Sequence, residues 1–333
     1  MDSTAVANGR TEPERILLLF LDGVGIGRND PHVNPFLHAE LPVLAGILGG
    51  IPVQAGSAGV PLEEEGGPGS LLLRHRPGAR SGPPQRGRLL ALDARLGVEG
   101  LPQSGTGQIA LLTGANAPEL FGRHFGPWPP SRLRPLLGER SLLRRAVDGG
   151  LEVVFANAYP EGFPGNRSSR RVAAPPLAAA AAGLLTRHHE ALARGEAVAS
   201  EIVNEGWRRH LGFDDLPEVG PTQAGRNLAT LAHTARLTFF AHYLTDVAGH
   251  RGGMTGAIAA LERVDAFLGG VLEELPADTL LLIVSDHGNI EDVRGGHTLN
   301  PALGVALGPG SEALEGEVPL TRLAPFVLER LGV

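Results

Sequence analysis

The chain has 333 residues, 42% of them apolar and 20% charged, a balance that excludes a largely disordered chain and leaves enough length to bury a sizeable core. Asp and Glu number 36 against 29 for Lys and Arg, so the formal net charge of −7 gives no global field to attract nucleic acid or an anionic membrane. There is no cysteine, which removes disulfide scaffolds, thiolate metal sites and thiol nucleophiles together, and no lysine, which removes a Schiff-base or general-base lysine.

Residues 1–14 are small and polar and predict a loose amino-terminal tail. The run Ile16 to Leu21 is continuously apolar, as in a strand buried on both faces of a parallel sheet, and it is too short for a membrane span or a signal sequence. The chain therefore reads as cytoplasmic. Asp22 follows the strand directly. Residues 62–88 mix Glu63 to Glu65 with Gly, Pro and Arg and predict an irregular excursion before Leu89 to Leu96 resumes the fold. Ile109 to Leu112 predicts a short helix stopped by Gly114, with Ser104 at its entrance. Ser141 to Val147, Gly149-Gly150 and Leu151 to Ala156 repeat a helix, glycine, strand pattern.

Residues 159–221 break that pattern. They hold an Arg-rich loop (Arg167, Arg170, Arg171), Pro175-Pro176, an alanine-rich helix from Leu177 to Leu192 and a second helical piece near Val198 to His210. A helix near Gln223 to Thr234 and a strand from Leu237 to Leu244 then lead to Asp246. Ile258, Leu261, Val264, Leu268, Val271, Leu272 and Leu275 fall on one helix face before Pro276. Leu280 to Val284 is a further buried strand that delivers Ser285-Asp286-His287.

The pattern predicts an α/β fold with a doubly wound, mostly parallel sheet. Residues 15–158 and 222–333 would form one discontinuous metal-binding core, with 159–221 as a small helical cap insertion. Asp22, Asp246 and Asp286 each follow an apolar strand, at the strand ends where open α/β sheets bind ligands. His250, His287 and His297 accompany them. Three carboxylates and three imidazoles suit a pair of Zn or Mn ions, and Mg less well given three His. Gly23-Val24-Gly25-Ile26-Gly27 lacks the G-x-G-x-x-G spacing, which sets aside a dinucleotide site.

These residues carry a resemblance to the alkaline phosphatase superfamily of binuclear metalloenzymes, closest to its cofactor-independent phosphoglycerate mutase and phosphopentomutase branch. The family's strand-DG motif is matched by Leu21-Asp22-Gly23. Its D-x-x-x-H, followed by a helix with A-x-x-x-x-E-x-x-D, is matched by Asp246 to His250 and then Ala257, Glu262 and Asp265. Ser285 to Glu291 match A/S-D-H-G-N-x-E, and His297 to Pro301 match H-T-x-N-P. The resemblance implies an alkaline-phosphatase-like core with one metal on Asp22, Ser104, Asp286 and His287 and another on Asp246, His250 and His297. It places the nucleophile ten residues before Gly114, at Ser104, with Thr106 as the second candidate.

The implied activity is phosphoryl transfer in two in-line steps through a phosphoserine, by a phosphatase or phosphomutase acting on a small phosphorylated metabolite. Unlike the mutases, this chain has a short cap and no lysine, so Arg167, Arg170 and Arg171 read either as an anion clamp or as a solvated charge run. The alternatives are a non-catalytic metal-binding relative and a phosphodiesterase of the same superfamily. Sulfatase chemistry is disfavoured, because Ser104 is followed by Gly105-Thr106-Gly107 rather than by Pro and Arg. His124 and Asn157 flank the site in sequence without an assigned role, and no motif indicates an oligomeric state.

Overall fold

A computed structural model describes residues 14–50, 53–54, 87–165 and 171–333. Its strands are β1 (Arg15–Leu21), β2 (Arg88–Asp93), β3 (Val153–Phe155), β4 (Leu237–His242), β5 (Thr279–Val284), β6 (Ala302–Leu307) and β7 (Glu317–Pro319). They form one sheet in the order β3-β4-β1-β5-β6-β2-β7. The pairs β3/β4, β4/β1, β1/β5 and β2/β7 are parallel, and β6 runs antiparallel to both of its neighbours.

The continuous apolar runs have a simple cause. Because strand side chains alternate in direction, Ile16, Leu18 and Phe20 enter one core cluster while Leu17, Leu19 and Leu21 enter another on the opposite face. β5 divides in the same way, with Leu280, Leu282 and Val284 on one side and Leu281 and Ile283 on the other. A sheet apolar on both faces needs a helical layer on each, which is the doubly wound arrangement.

In chain order the helices are α1 (Pro42–Ile47), α2 (Ser104–Thr113), α3 (Ala117–Phe121), α4 (Arg134–Arg140), α5 (Leu142–Asp148), α6 (Ala174–Ala181), α7 (His189–Ala193), α8 (Glu205–Leu211), α9 (Pro221–Ala232), α10 (Leu244–Arg251), α11 (Gly253–Glu274) and α12 (Leu323–Leu331). Buried residues of α2, α4, α5, α6 and α12 share the first cluster, and those of α1, α9 and α11 the second. Among the described residues no helix is long and apolar enough to cross a membrane.

Several elements differ from the sequence reading. The alanine helix begins earlier and ends at Ala181, where Gly183 follows at φ +74°, a left-handed conformation that stops a helix. Its Ala174, Ala178 and Ala179 are fully buried in the first core cluster beside α2, α4 and α5. The second helical piece is confined to α8, because Val198 bridges Asn157 in extended conformation. Ala158, Leu192, Ala197, Ala199, Trp207 and Leu216 form a small cluster of their own. β4 stops at His242, and the next residues turn at once into α10. The predicted tail up to residue 13 and nearly all of the 62–88 excursion lie outside the described residues.

Candidate metal centre

Strands β4, β1 and β5 are neighbours, so their carboxyl ends open side by side. β1 ends in Asp22 and β5 delivers Asp286 and His287. β4 leads into α10, which carries Asp246 in its first turn and His250 four residues later on the same helix face. His297 arrives from the loop between β5 and β6. This topology brings residues 275 positions apart in sequence to one edge.

Two groups of ligand atoms each lie within 4.8 Å of one another: Asp22, Asp286 and His287, and Asp246, His287 and His297. His287 Nε2 is 3.3 Å from Asp22 Oδ1, 3.7 Å from Asp286 Oδ2 and 2.9 Å from Ser104 Oγ. On the other side, His250 Nε2 lies 3.5 Å from Asp246 Oδ2 and 3.2 Å from His297 Nε2, which is 3.7 Å from Asp246 Oδ1. The His287 and His297 rings stack at 3.9 Å. All seven residues expected from sequence are thus brought together.

The donor set fits cations. Asp22 Oδ1 and Asp286 Oδ2 are buried carboxylate oxygens that accept no hydrogen bond and face the His287 ring, so two buried carboxylates share one imidazole, a costly arrangement that a bound cation would relieve. His297 Nδ1 donates to Pro102 O at 2.8 Å, which leaves its Nε2 lone pair facing Asp246 and His250. Burial, and then the charge of Asp286, raises the Asp22 carboxyl well above its usual range, and burial raises Asp286 as well. At His287 burial favours the neutral ring, but the surrounding carboxylates outweigh it and push the imidazole up to about 10. Burial and the nearby His287 charge push His297 down to about 4.

Ser104 is the first residue of α2 rather than its N-cap, which is Gln103 and makes no side-chain cap bond. Its hydroxyl is therefore free to face His287. Thr106 is fully buried and its hydroxyl is occupied locally, accepting from Phe125 N at 3.1 Å and donating to backbone carbonyls. Arg171 is exposed and makes none of the contacts above, while Arg167 and Arg170 lie outside the described residues. Asn157 is structural: its side chain exchanges two hydrogen bonds with the backbone of Ala241 in β4. The half-buried His124 bonds to Val98 O.

The sequence reading missed several supporting groups. Gln108, one turn after Ser104 on α2, donates to Asp22 Oδ2 at 3.3 Å and accepts from Ala174 N at the start of α6. That spacing of four was a usable signal. Thr245 donates to Asp22 O at 2.6 Å, and Ser285 Oγ accepts from Val24 N at 2.9 Å. Glu262 and Asp265, letters of the long-helix motif, bond not to the centre but to backbone N–H groups of Glu40, Val43 and Leu44. A cavity of about 550 Å³ adjoins His297 and is also lined by Arg28, Asp292 and Arg294.

Comparison with known proteins gives partial matches. Residues 223–333 match the family model described as the Metalloenzyme superfamily. The segment carrying Asp246, His250, Asp286, His287 and His297 is thus the part of the chain that resembles this superfamily. Over part of its length the chain is also similar to 2,3-bisphosphoglycerate-independent phosphoglycerate mutases. The chain is 39% identical over 97 residues to the 2,3-bisphosphoglycerate-independent phosphoglycerate mutase of Syntrophotalea carbinolica, covering 26% of this chain and 19% of that protein. With the corresponding enzyme of Paracoccus denitrificans it shares 30% identity over 131 residues, 36% of this chain and 26% of that one. The match thus spans about a fifth to a quarter of the length of these curated relatives. Among solved structures, alkaline phosphatase from the Antarctic bacterium TAB5 aligns with a TM-score of 0.45 at 12% identity, covering 96% of this chain and 98% of that one. The lipoteichoic acid synthase LtaP from Listeria monocytogenes aligns with a TM-score of 0.46 at 10% identity, covering 97% and 73%.

Proposed function

We propose that the protein is a two-metal phosphoryl-transfer enzyme, a phosphatase or phosphomutase, that acts on a small phosphorylated metabolite through a phosphoserine at Ser104. The observation that carries this reading is the Ser104 hydroxyl, 2.9 Å from His287 Nε2 at the entrance of a ten-residue helix and beside the buried carboxylate oxygens of Asp22 and Asp286. Asp22, Ser104, Asp286 and His287 would hold one ion, and Asp246, His250 and His297 the other, with Mn or Zn favoured by the imidazole content. Ions bound there would supply Lewis-acid stabilisation of charge on the attacking and leaving oxygens.

Ser104 Oγ then attacks phosphorus in line with the leaving alcohol, and water or a second substrate hydroxyl accepts the phosphoryl group from the phosphoserine. Thr106 N and Gly107 N are taken by the carbonyls of Phe125 and Gln103, which leaves the N–H groups of Ser104 and Gly105 to meet phosphoryl oxygens at the positive end of α2. Gln108 fixes the orientation of Asp22. The part of the substrate that is not transferred would occupy the cavity beside His297, where Arg28 and Arg294 both pair with Asp292. Residues 159–221 would be a cap inserted into one discontinuous core, anchored to it by Ala174, Ala178 and Ala179.

The test is a panel of phosphate monoesters, diesters and sugar phosphates assayed with Mn and with Zn, comparing wild type with Ser104→Ala. Turnover confined to wild type, with acid-stable phosphate on Ser104 after quenching, is expected. Monoester turnover that persists unchanged in Ser104→Ala overturns the nucleophile, and a fully metallated protein that turns over no ester overturns the enzyme reading.

A further inference from the structure

Glu291 is a fully buried carboxylate, and no basic side chain pairs with it among the described residues. Its oxygens are instead satisfied by neutral donors. Oε2 accepts from Gly25 N at 2.9 Å and from Asn289 N at 2.7 Å, and Oε1 accepts from Asn300 Nδ2 at 3.0 Å and from the Thr298 hydroxyl. Each donor belongs to a segment that carries candidate ligands. Gly25 lies three residues after Asp22, Asn289 two after His287, and Thr298 next to His297. The packing leaves no slack, since a Cβ on Gly25 would sit 2.4 Å from the Glu291 carboxylate, and one on Gly288 2.4 Å from Oε1.

The remaining ligand-bearing element, α10, is reached by Asn289. Its Nδ2 donates to Asp246 Oδ1 at 2.6 Å and to Asp246 O at 3.1 Å, while its Oδ1 is buried without a partner. Gly249 of α10 closes on this amide so tightly that a Cβ there would lie 2.7 Å from it. One short loop, Ser285 to Glu291, therefore supplies Asp286 and His287 to one half of the centre. It also orients Asp246 and, through Thr298, braces the loop of His297 in the other half. His287 itself lies within ligand distance of both groups.

We infer that this loop couples the two halves of the centre, with Glu291 and Asn289 as positioning residues, so that filling one half orders the ligands of the other and uptake of two ions is cooperative. The physical basis is that Asp246 cannot reorient without breaking the Asn289 amide contact, and Asn289 cannot move without disturbing the backbone that holds His287. The inference rests on the two-ion reading of the site.

Calorimetric titration of the chelated full-length protein with Mn2+ alone tests it. Wild type is expected to bind two ions, the second at least about tenfold more tightly than independent sites would allow, within the usual range of couplings. Asn289→Ala removes only the link to Asp246, and Thr298→Ala removes one of four donors to Glu291, with Thr298→Ser restoring it. Both Ala variants should still bind two ions with the coupling reduced severalfold, and Thr298→Ser should regain it. Two ions bound independently by wild type, or coupling unchanged in both Ala variants, overturns the inference and leaves the two-ion reading intact. A stoichiometry near one in wild type overturns the two-ion reading itself.

Discussion

Replacing Asp265 by Ala removes a fold contact from a residue whose motif invites a chemical role. Helix α1 has only six residues, and its N-cap, Leu41, offers no side-chain bond. The missing cap comes from α11: Asp265 accepts from Val43 N at 3.1 Å and from Leu44 N at 2.8 Å. The carboxylate is 4% exposed, and burial raises its pKa despite the two bonds, so desolvation takes back part of what they contribute. In Asp265→Ala the Leu44 N–H is left buried without a partner, at a cost of about 1–3 kcal/mol, while the part-buried Val43 N–H can turn to water at a smaller cost. A net loss of about 2–3 kcal/mol follows, and Asp265→Asn, which keeps one acceptor oxygen, should lose about 1 kcal/mol. Urea unfolding of wild type and both variants, each metal-free, measures these differences, and metal titration of the same proteins should return unchanged stoichiometry. A stability loss below about 0.5 kcal/mol in Asp265→Ala, or loss of an ion with stability intact, would refute the assignment of this residue to the fold.

His242 is buried with Nδ1 on Ser200 O at 2.8 Å and Nε2 unpartnered, and burial lowers its pKa from 6.5 to about 4. Between those values the unfolded chain binds a proton that the folded one does not, so stability is full above about pH 6.5 and falls by about 3 kcal/mol as pH drops to 4. His242→Asn should flatten that part of the pH dependence in chelated protein, and denaturation midpoints with the same slope as wild type would exclude it. Gly288→Ala places a Cβ 2.3 Å from Thr298 Oγ1 and 2.4 Å from Glu291 Oε1, and overpacking of this kind should cost about 1–3 kcal/mol. Differential scanning calorimetry showing an unshifted melting temperature would mean that the loop is looser than its contacts require.

Much of the fold was legible in sequence because burial leaves a period. β1, β4 and β5 read as doubly buried strands from uninterrupted apolar runs, and α11 from its stripe at spacings of three and four. β6 and α12 carry similar signals and went unassigned, while α10 was hidden because it is short and weakly patterned. The alanine helix was legible as a helix but not as a core element, since a run of small apolar residues fits a cap and a tight helix interface equally well. Asp22, Ser104, Asp246, His250, Asp286, His287 and His297 could be named from motif letters and strand ends. Gln108, Asn289 and Glu291 could not be given roles in the same way, because a buried polar side chain is defined by the donor or acceptor opposite it, which the linear pattern does not contain.

The sequence by itself determined the ingredients: strands apolar on both faces, ligand types limited to carboxylate, imidazole and hydroxyl by the absence of cysteine, and a glycine stop ten residues after Ser104. Only the tertiary structure decided which of these meet. The order β4-β1-β5 sets three carboxylates side by side, the first turn of α2 turns Ser104 toward His287, and Glu262 and Asp265 are sent to cap a neighbouring segment instead. Local periodicity records how deeply a residue is buried, whereas the partner of a buried polar group is fixed by strand order and loop closure across hundreds of residues.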